Sequence, residues 1–487
     1  MAQGHMDRLS AIDASFLANE SGTSHMHVGA ITIFEGPPPA YDDLLAHIES
    51  RLHLVPRYRQ KLAFPPVETG RPFWVDDPQF NLGYHVRHSA LPAPGGEDEL
   101  RRMGARVFSQ QLDRTKPIWE LWLVEGLRKK RFALISKTHH ALVDGVSGVD
   151  IATVLFDVKP VPEPTGPPRD WIPRPEPSAA ALAARGIGSA ARAPLGIVRR
   201  AAGVAGSPNA TMRSVQQAAE GLGEVAWEFA NPAPDMPLNV PIGPHRRFVW
   251  VRGDLAELKR IKGELGGTVN DVVLTAVAGA MRRWLRARGV RTEGLELRAL
   301  VPVSIRAEDQ HGELGNQIAA VRGPLPVYVE DPVSRLRTVR EAMDDVKSSK
   351  KALGAEMITR FNDFAPPTLL AQASRINFST RLFNLIVTNV PGPQFPLYVL
   401  GRELLDIFPV AFLPENHALA IAIMSYNGKI DFGLLGDYDA MEDVTLVAEG
   451  IEAEIKQLLE AAKASEKSAK GSGARRASGK RATAKPS

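Results

Sequence analysis

Lys137-Thr138-His139-His140-Ala141-Leu142-Val143-Asp144-Gly145 places two adjacent histidines just ahead of an Asp-Gly pair. The preceding run, Arg131 to Ser136, is short, apolar and suited to a strand. The following run, Val146 to Asp157, spaces Val149, Ile151, Val154, Leu155 and Phe156 at helical intervals. The pattern predicts a strand that ends at His139 and His140, a turn, and a helix opened by Asp144-Gly145. Strand ends are where open sheets commonly carry chemistry. A neutral imidazole takes a proton from an alcohol near neutral pH, because its ordinary pKa is about 6.5. Gly145 permits close packing or a positive φ. The plainer reading is two ordinary histidines beside a helix-capping Asp144.

Working outward, Ser10 is placed to cap a short helix with Asp13 as its capping-box acid, sending Ile12, Phe16 and Leu17 into the core. Val28 to Phe34 reads as a strand, Tyr41 to Leu54 as a helix ended at Pro56, Leu82 to Leu91 as a strand and Glu97 to Leu112 as a helix. Pro117 to Glu125 alternates as a strand. It is expected to pair with the histidine strand through a hairpin containing Gly126.

Residues 160–177 are proline-rich and suit neither sheet nor helix interior. Residues 177–219 carry five arginines and no acid, which suits either a crossover linker or a basic helix on a lipid surface. The alternation then restarts. Arg247 to Val251 reads as a strand, and Asp254 to Leu265 as a helix closed by Gly266-Gly267. Thr268 caps a long helix with Asn270 and Asp271 in its first turn. Strands follow at Leu297 to Ile305, after Gly315-Asn316-Gln317 and at Phe383 to Val390. A helix spans Asp331 to Lys351, and a hairpin turns at Tyr426-Asn427-Gly428. Val444 to Ala462 is the last amphipathic helix. The organisation expected is a first α/β domain over 6–160, a linker over 161–240, a second α/β domain over 241–462 and a disordered tail over 463–487.

The chain has 487 residues, no cysteine and a net charge of +4. Without cysteine there is no thiolate nucleophile, acyl-Cys intermediate, disulfide or Cys-ligated metal. The tail 463–487 holds eight Lys and Arg against Glu466, a charge of +7, which leaves −3 for the rest. A slightly acidic body gives no support to nucleic-acid binding. No apolar run is long enough for a transmembrane helix, the N-terminus lacks the apolar core of a signal peptide, and a cytoplasmic protein is expected. No GxSxG nucleophile elbow and no metal-ligand spacing is present.

Taken in order, Leu9 to Leu17, Pro117-Ile118-Trp119, His139 to Gly145, Asn270-Asp271, Pro302-Val303-Ser304-Ile305-Arg306 and Asn389-Val390-Pro391-Gly392-Pro393 resemble the successive motifs of the bacterial wax ester synthase/acyl-CoA:diacylglycerol acyltransferase family. The resemblance covers residues 6 to about 460. It implies an α/β fold of two chloramphenicol-acetyltransferase-like domains, each a mixed sheet flanked by helices, with an active-site tunnel at their interface. It implies direct transfer of a fatty acyl group from acyl-CoA, as substrate rather than cofactor, to diacylglycerol or a long-chain alcohol. His140 is then the general base. His139 either assists its positioning or merely packs beside it. Asp144 fixes the loop by pairing with an arginine, and Asn270 orients His140 or donates to the oxyanion. Ser304 is either a second oxyanion donor or a buried strand serine. Pro117, Trp119, Gly145 and Asp271 belong to the substrate-binding surroundings. Contact with a membrane or lipid-droplet surface is expected from 177–219 and the tail. A condensation-type enzyme with a carrier-bound donor, or a silent lipid-surface binding protein, are the alternatives.

Overall fold

The computed structural model describes residues 6–66, 70–143, 154–161, 171–185, 231–304, 318–348 and 378–481. The first half holds β1 (Asp7–Arg8), α1 (Ala11–Asn19), β2 (His27–Glu35), α2 (Tyr41–Glu49), β3 (Gln60–Ala63), β4 (Phe73–Asp76), β5 (Val86–Ala90), α3 (Glu97–Phe108), β6 (Trp119–Leu127) and β7 (Arg131–His139). The second holds β8 (Arg246–Asp254), α4 (Leu255–Leu265), α5 (Val269–Ala287), β9 (Leu297–Ser304), β10 (Ile318–Leu325), α6 (Pro332–Ser348), β11 (Leu385–Pro391), β12 (Tyr398–Val399), β13 (Arg402–Val410), β14 (Leu419–Tyr426), β15 (Lys429–Asp437) and α7 (Val444–Arg481).

Two mixed six-stranded sheets result, in the orders β12-β13-β2-β7-β6-β5 and β10-β9-β11-β14-β15-β8, with a small β1-β4-β3 sheet beside them. The histidine strand β7 is central in the first sheet. It pairs antiparallel with β2, His27 opposite His139, and with β6, Trp119 opposite Thr138. The β6–β7 turn places Lys129 and Lys130 at positive φ, and Gly126 lies in a register shift at φ +81.

Alternation along these strands fills both faces of the first sheet. Phe34, Phe132, Leu134 and Trp119 join the core formed with α1 and α2. Ile31, Ile33, Ala133 and Ile135 face the other way, into one core with α3, Phe248 and Trp250 of β8 and the buried helix α5. The two halves therefore share a core. They also share a strand: β13 of the second half pairs with β2 of the first and lies against β15. Gly433 of β15 permits that approach, because a Cβ there would come within 1.9 Å of the Pro409 carbonyl oxygen. Nothing local in 398–410 announces membership of the first sheet.

Several local expectations are corrected. Leu82–His85 is a helical turn capped by Asn81, whose side chain accepts from the Gly83 N–H, and the strand begins only at Val86. The helix from Tyr41 ends at Glu49, and tighter 3-10 turns follow at Leu52–Leu54 and Pro56–Arg59. Ile12 points to solvent. The last helix continues beyond Ala462 to Arg481.

Candidate active site

Strand β7 is anchored one residue pair before it ends. Lys137 is fully buried, yet its ammonium donates to the Val107 and Gln110 carbonyls at the C-terminal end of α3, each at 3.1 Å, and lies 3.3 Å from Glu120. A cation is favourable at a helix C-terminus. The backbone then fixes both histidines. His139 N–H donates to the Ile118 carbonyl at 3.0 Å and His140 N–H to the Met26 carbonyl at 2.9 Å. Met26 adopts φ +50, a left-handed conformation that costs a non-glycine residue about 1 kcal/mol. A 3-10 turn over His140–Leu142 follows.

His140 is partly buried among aromatic rings from both halves of the chain. Phe16 of α1 stacks on it with centroids 3.9 Å apart, and Phe412, just after β13, meets it edge-on at 5.5 Å. Phe378 touches both phenyl rings, at 6.2 Å from Phe16 and 5.7 Å from Phe412. Burial, helped by the neighbouring His139, pushes the His140 pKa down to about 4. Its Nδ1 is buried without a hydrogen-bond partner. The ring is thus a neutral imidazole set among aromatic side chains at the junction of the halves. Helical spacing sends Phe16 to the core and connects neither it nor Phe378 nor Phe412 with His140; only the 3.6-residue period of α1 puts Phe16 and Glu20 on one face.

His139 is buried and faces elsewhere. Its Nδ1 accepts from the Ala141 N–H at 3.0 Å, and its Nε2 lies 3.5 Å from the Glu20 carboxylate. Glu20 is buried too, in contact with the Arg114 guanidinium and 3.9 Å from His27 Nε2. Burial opposes its charge, but His139 and Arg114 outweigh burial and hold its carboxyl below the ordinary range. Burial lowers His139, with Glu20 opposing. Burial also takes His27 well below its ordinary value, reinforced by Lys137, His139, His25 and Arg246.

The other expected residues divide. Asn270, at the start of α5, accepts through Oδ1 from Asn389 Nδ2 at 3.4 Å, so two separate motifs meet there. Among the described residues neither amide bonds to His140. Asp271 is fully buried and closes a capping box: its Oδ2 accepts from the Thr268 N–H and hydroxyl, both at 2.8 Å, which accounts for one oxygen and leaves Oδ1 buried without a partner. Trp119 does not touch His140. Its ring stacks on His85 at 4.7 Å and donates to the Tyr58 carbonyl at 2.8 Å, within the core on the other face of the sheet. The buried Pro117 accepts from Trp119 N–H at 3.0 Å. The Pro117–Trp119 segment meets the histidine pair through the backbone, where the Ile118 carbonyl accepts from His139 N–H. Ser304 ends β9, paired with Ile318; its side chain, Asp144, Gly145 and residues 146–153 of the helix expected over Val146 to Asp157 lie outside the described residues, while Val154 and Leu155 at its end are helical and buried and Asp157 bridges to Tyr398. Among the described residues no group of three or more His, Asp or Glu is arranged to hold a metal ion, and no helix is long and apolar enough to cross a membrane.

The wax ester synthase/diacylglycerol acyltransferase catalytic domain matches residues 9–273, and the C-terminal domain of the same family matches 314–459. A probable diacylglycerol O-acyltransferase of Mycobacterium tuberculosis is 32% identical over 465 residues, covering 93% of this chain and 96% of that protein. The wax ester synthase/diacylglycerol acyltransferase of Marinobacter aquaeolei VT8 superposes with a TM-score of 0.64 at 27% identity, over 94% of this chain and 100% of that one. The first condensation domain of the CDA synthetase shares the fold alone, at a TM-score of 0.55 and 14% identity over 94% of this chain and 97% of that one. The motifs, the two-sheet fold and the matched segments agree: the chain belongs to the wax ester synthase/diacylglycerol acyltransferase family.

Proposed function

We propose that this acyltransferase moves a fatty acyl group from acyl-CoA to the hydroxyl of diacylglycerol, and of long-chain alcohols, with His140 as the general base. The observation that carries the reading is a neutral imidazole held at a strand end in an apolar pocket built by both halves of the chain. His140 removes the proton of the acceptor hydroxyl as its oxygen attacks the thioester carbonyl carbon. The carbon–sulfur bond then breaks, and the imidazolium returns the proton to the departing thiolate. Proton and acyl group balance without a covalent acyl-enzyme or a cofactor. The Phe16, Phe378 and Phe412 rings exclude water, which would otherwise compete as acceptor. Asn270, held by Asn389, supplies the oxyanion donor; a preorganised donor of this kind is worth about 3 kcal/mol. Asp144 fixes the loop after His140.

The acceptor chemistry calls for a peripheral lipid interface on the cytoplasmic side of a membrane or on a lipid body. Phe395 and Val390 are exposed on the segment that follows Asn389, and the tail adds +7. Each basic residue near an anionic surface adds about 1 kcal/mol. Purified protein supplied with palmitoyl-CoA and, in parallel, diacylglycerol or hexadecanol tests the reading. Ester from free palmitoyl-CoA supports it. No ester from either acceptor with folded protein contradicts it and points to a carrier-bound donor or a binding protein.

A further inference from the structure

The buried carboxylate of Glu20 has no part in the proton path from acceptor to thiolate, yet it sits beside the histidine pair. Its backbone N–H closes α1 on the Phe16 carbonyl at 3.1 Å. Phe16 and Glu20 are one helical turn apart, so a single short helix places a ring on His140 and a carboxylate against His139. Around the carboxylate stand Arg114, from the segment before β6, His139 of β7 and His27 of β2, with His25 beyond His27 at 5.5 Å between ring centroids.

The tautomer of His139 follows from its other nitrogen. Nδ1 accepts a backbone hydrogen bond from Ala141, so in the neutral ring the proton resides on Nε2. Nε2 faces Glu20 at 3.5 Å and has no other partner. That distance is long for a formed hydrogen bond, as catalytic contacts often are before substrate binds. The contact continues through the ring to the Ala141 N–H, and thus to the turn that presents His140. A group that holds an imidazole in one tautomer and orientation controls what the imidazole can do.

We propose that Glu20, clamped by Arg114, is a positioning residue: it holds His139 as the Nε2–H tautomer, and through the His139–Ala141 hydrogen bond it sets the turn that aims His140. This rests on the reading of His140 as the base. Glu20 touches no reacting atom, and the effect passes through His139.

The test combines kinetics with nitrogen-15 NMR of histidine-labelled full-length protein, the His139 resonances being assigned by their loss in His139→Asn. Wild type should show His139 protonated at Nε2 and bare at Nδ1 between about pH 6 and 8. Glu20→Ala should lower kcat by about 10²-fold while KM for palmitoyl-CoA stays within about twofold. Glu20→Gln should recover much of kcat, because the amide oxygen still accepts from Nε2–H. The proposal is overturned by an Nδ1–H tautomer in wild type, by unchanged kcat in folded Glu20→Ala, or by Glu20→Gln no better than Glu20→Ala. If Glu20→Ala fails to fold, Arg114→Gln, which unclamps the carboxylate, decides: a lowered kcat at unchanged KM for palmitoyl-CoA supports the proposal, and wild-type kcat overturns it. If wild type makes no ester, the functional reading falls, while His139 nitrogen shifts that are the same in wild type and folded Glu20→Ala still overturn the role of Glu20.

Discussion

The phenyl ring of Phe16 lies stacked on the imidazole of His140, 3.9 Å between centroids and 24° from parallel. The stack orients the imidazole and dehydrates one of its faces, and Phe412 meets the same ring edge-on. Stacked pairs are worth about 0.5–1.5 kcal/mol beyond their buried area, so Phe16→Leu should lower kcat about 3- to 10-fold with little change in Tm. Saturation kinetics and a melting curve check both. Wild-type kcat in Phe16→Leu would show that the stack is only packing.

Burial leaves His140 neutral down to about pH 4. In the free enzyme, kcat/KM should therefore stay level as pH falls from about 8 to 5, where an ordinary histidine would already be protonated. Activity measured over that range checks the sign. An acid limb centred near 6.5 would mean that the ring is solvated in solution.

The same burial has a stability consequence. His25, His27, His139 and His140 all have folded-state values below their ordinary one. The unfolded chain therefore binds more protons in acid. Their contribution is complete above about pH 6.5 and is lost as pH falls toward the folded-state values. Tm should fall measurably between about pH 7 and 5, before most carboxylates titrate. A flat Tm across that window would contradict the buried histidine cluster.

Asn270 and Asn389 are joined by one hydrogen bond and are expected to act together. Asn270→Ala should lower kcat about 10²-fold if its amide stabilises the oxyanion. Asn389→Ala should cost less, and the double variant should be hardly worse than Asn270→Ala, because neighbours that share one interaction are not additive. A double-mutant cycle measures this; full additivity would separate the two amides.

Thr268 and Asp271 form the capping box that starts α5 just before and after Asn270. Thr268→Ala should destabilise the protein by about 1 kcal/mol, read from denaturant unfolding, while Thr268→Ser should restore it. Equal stability of all three proteins would remove the cap from the account.

Much of this was readable along the chain. Ser10 does cap α1, Thr268 and Asp271 do cap α5, and β7 does pair with β6 and end at His139, with His140 opening the 3-10 turn that follows. These features rest on local rules, caps and period-2 alternation. What escaped was non-local. Phe412 reaches His140 only because β13 crosses into the first sheet, and no short-range pattern in 398–410 announces that crossing; Phe378 meets Phe16 and Phe412 rather than the imidazole. Arg114 finds Glu20 across 94 residues of the first half, a pairing that is equally non-local. Trp119 was placed near the pocket by its motif, but its register partner is Thr138 rather than His139, which turns the indole to the opposite face. Leu82 to His85 looked extended because the apolar run hid the Asn81 cap.

The central claim is that His140 is the base of an acyl transfer. The direct measurement is ester formation from palmitoyl-CoA and diacylglycerol by wild type and His140→Ala, with matched far-ultraviolet circular dichroism and Tm. The account expects triacylglycerol from wild type and a loss of about 10²- to 10⁴-fold in the variant at unchanged fold. Folded His140→Ala turning over at the wild-type rate would contradict it.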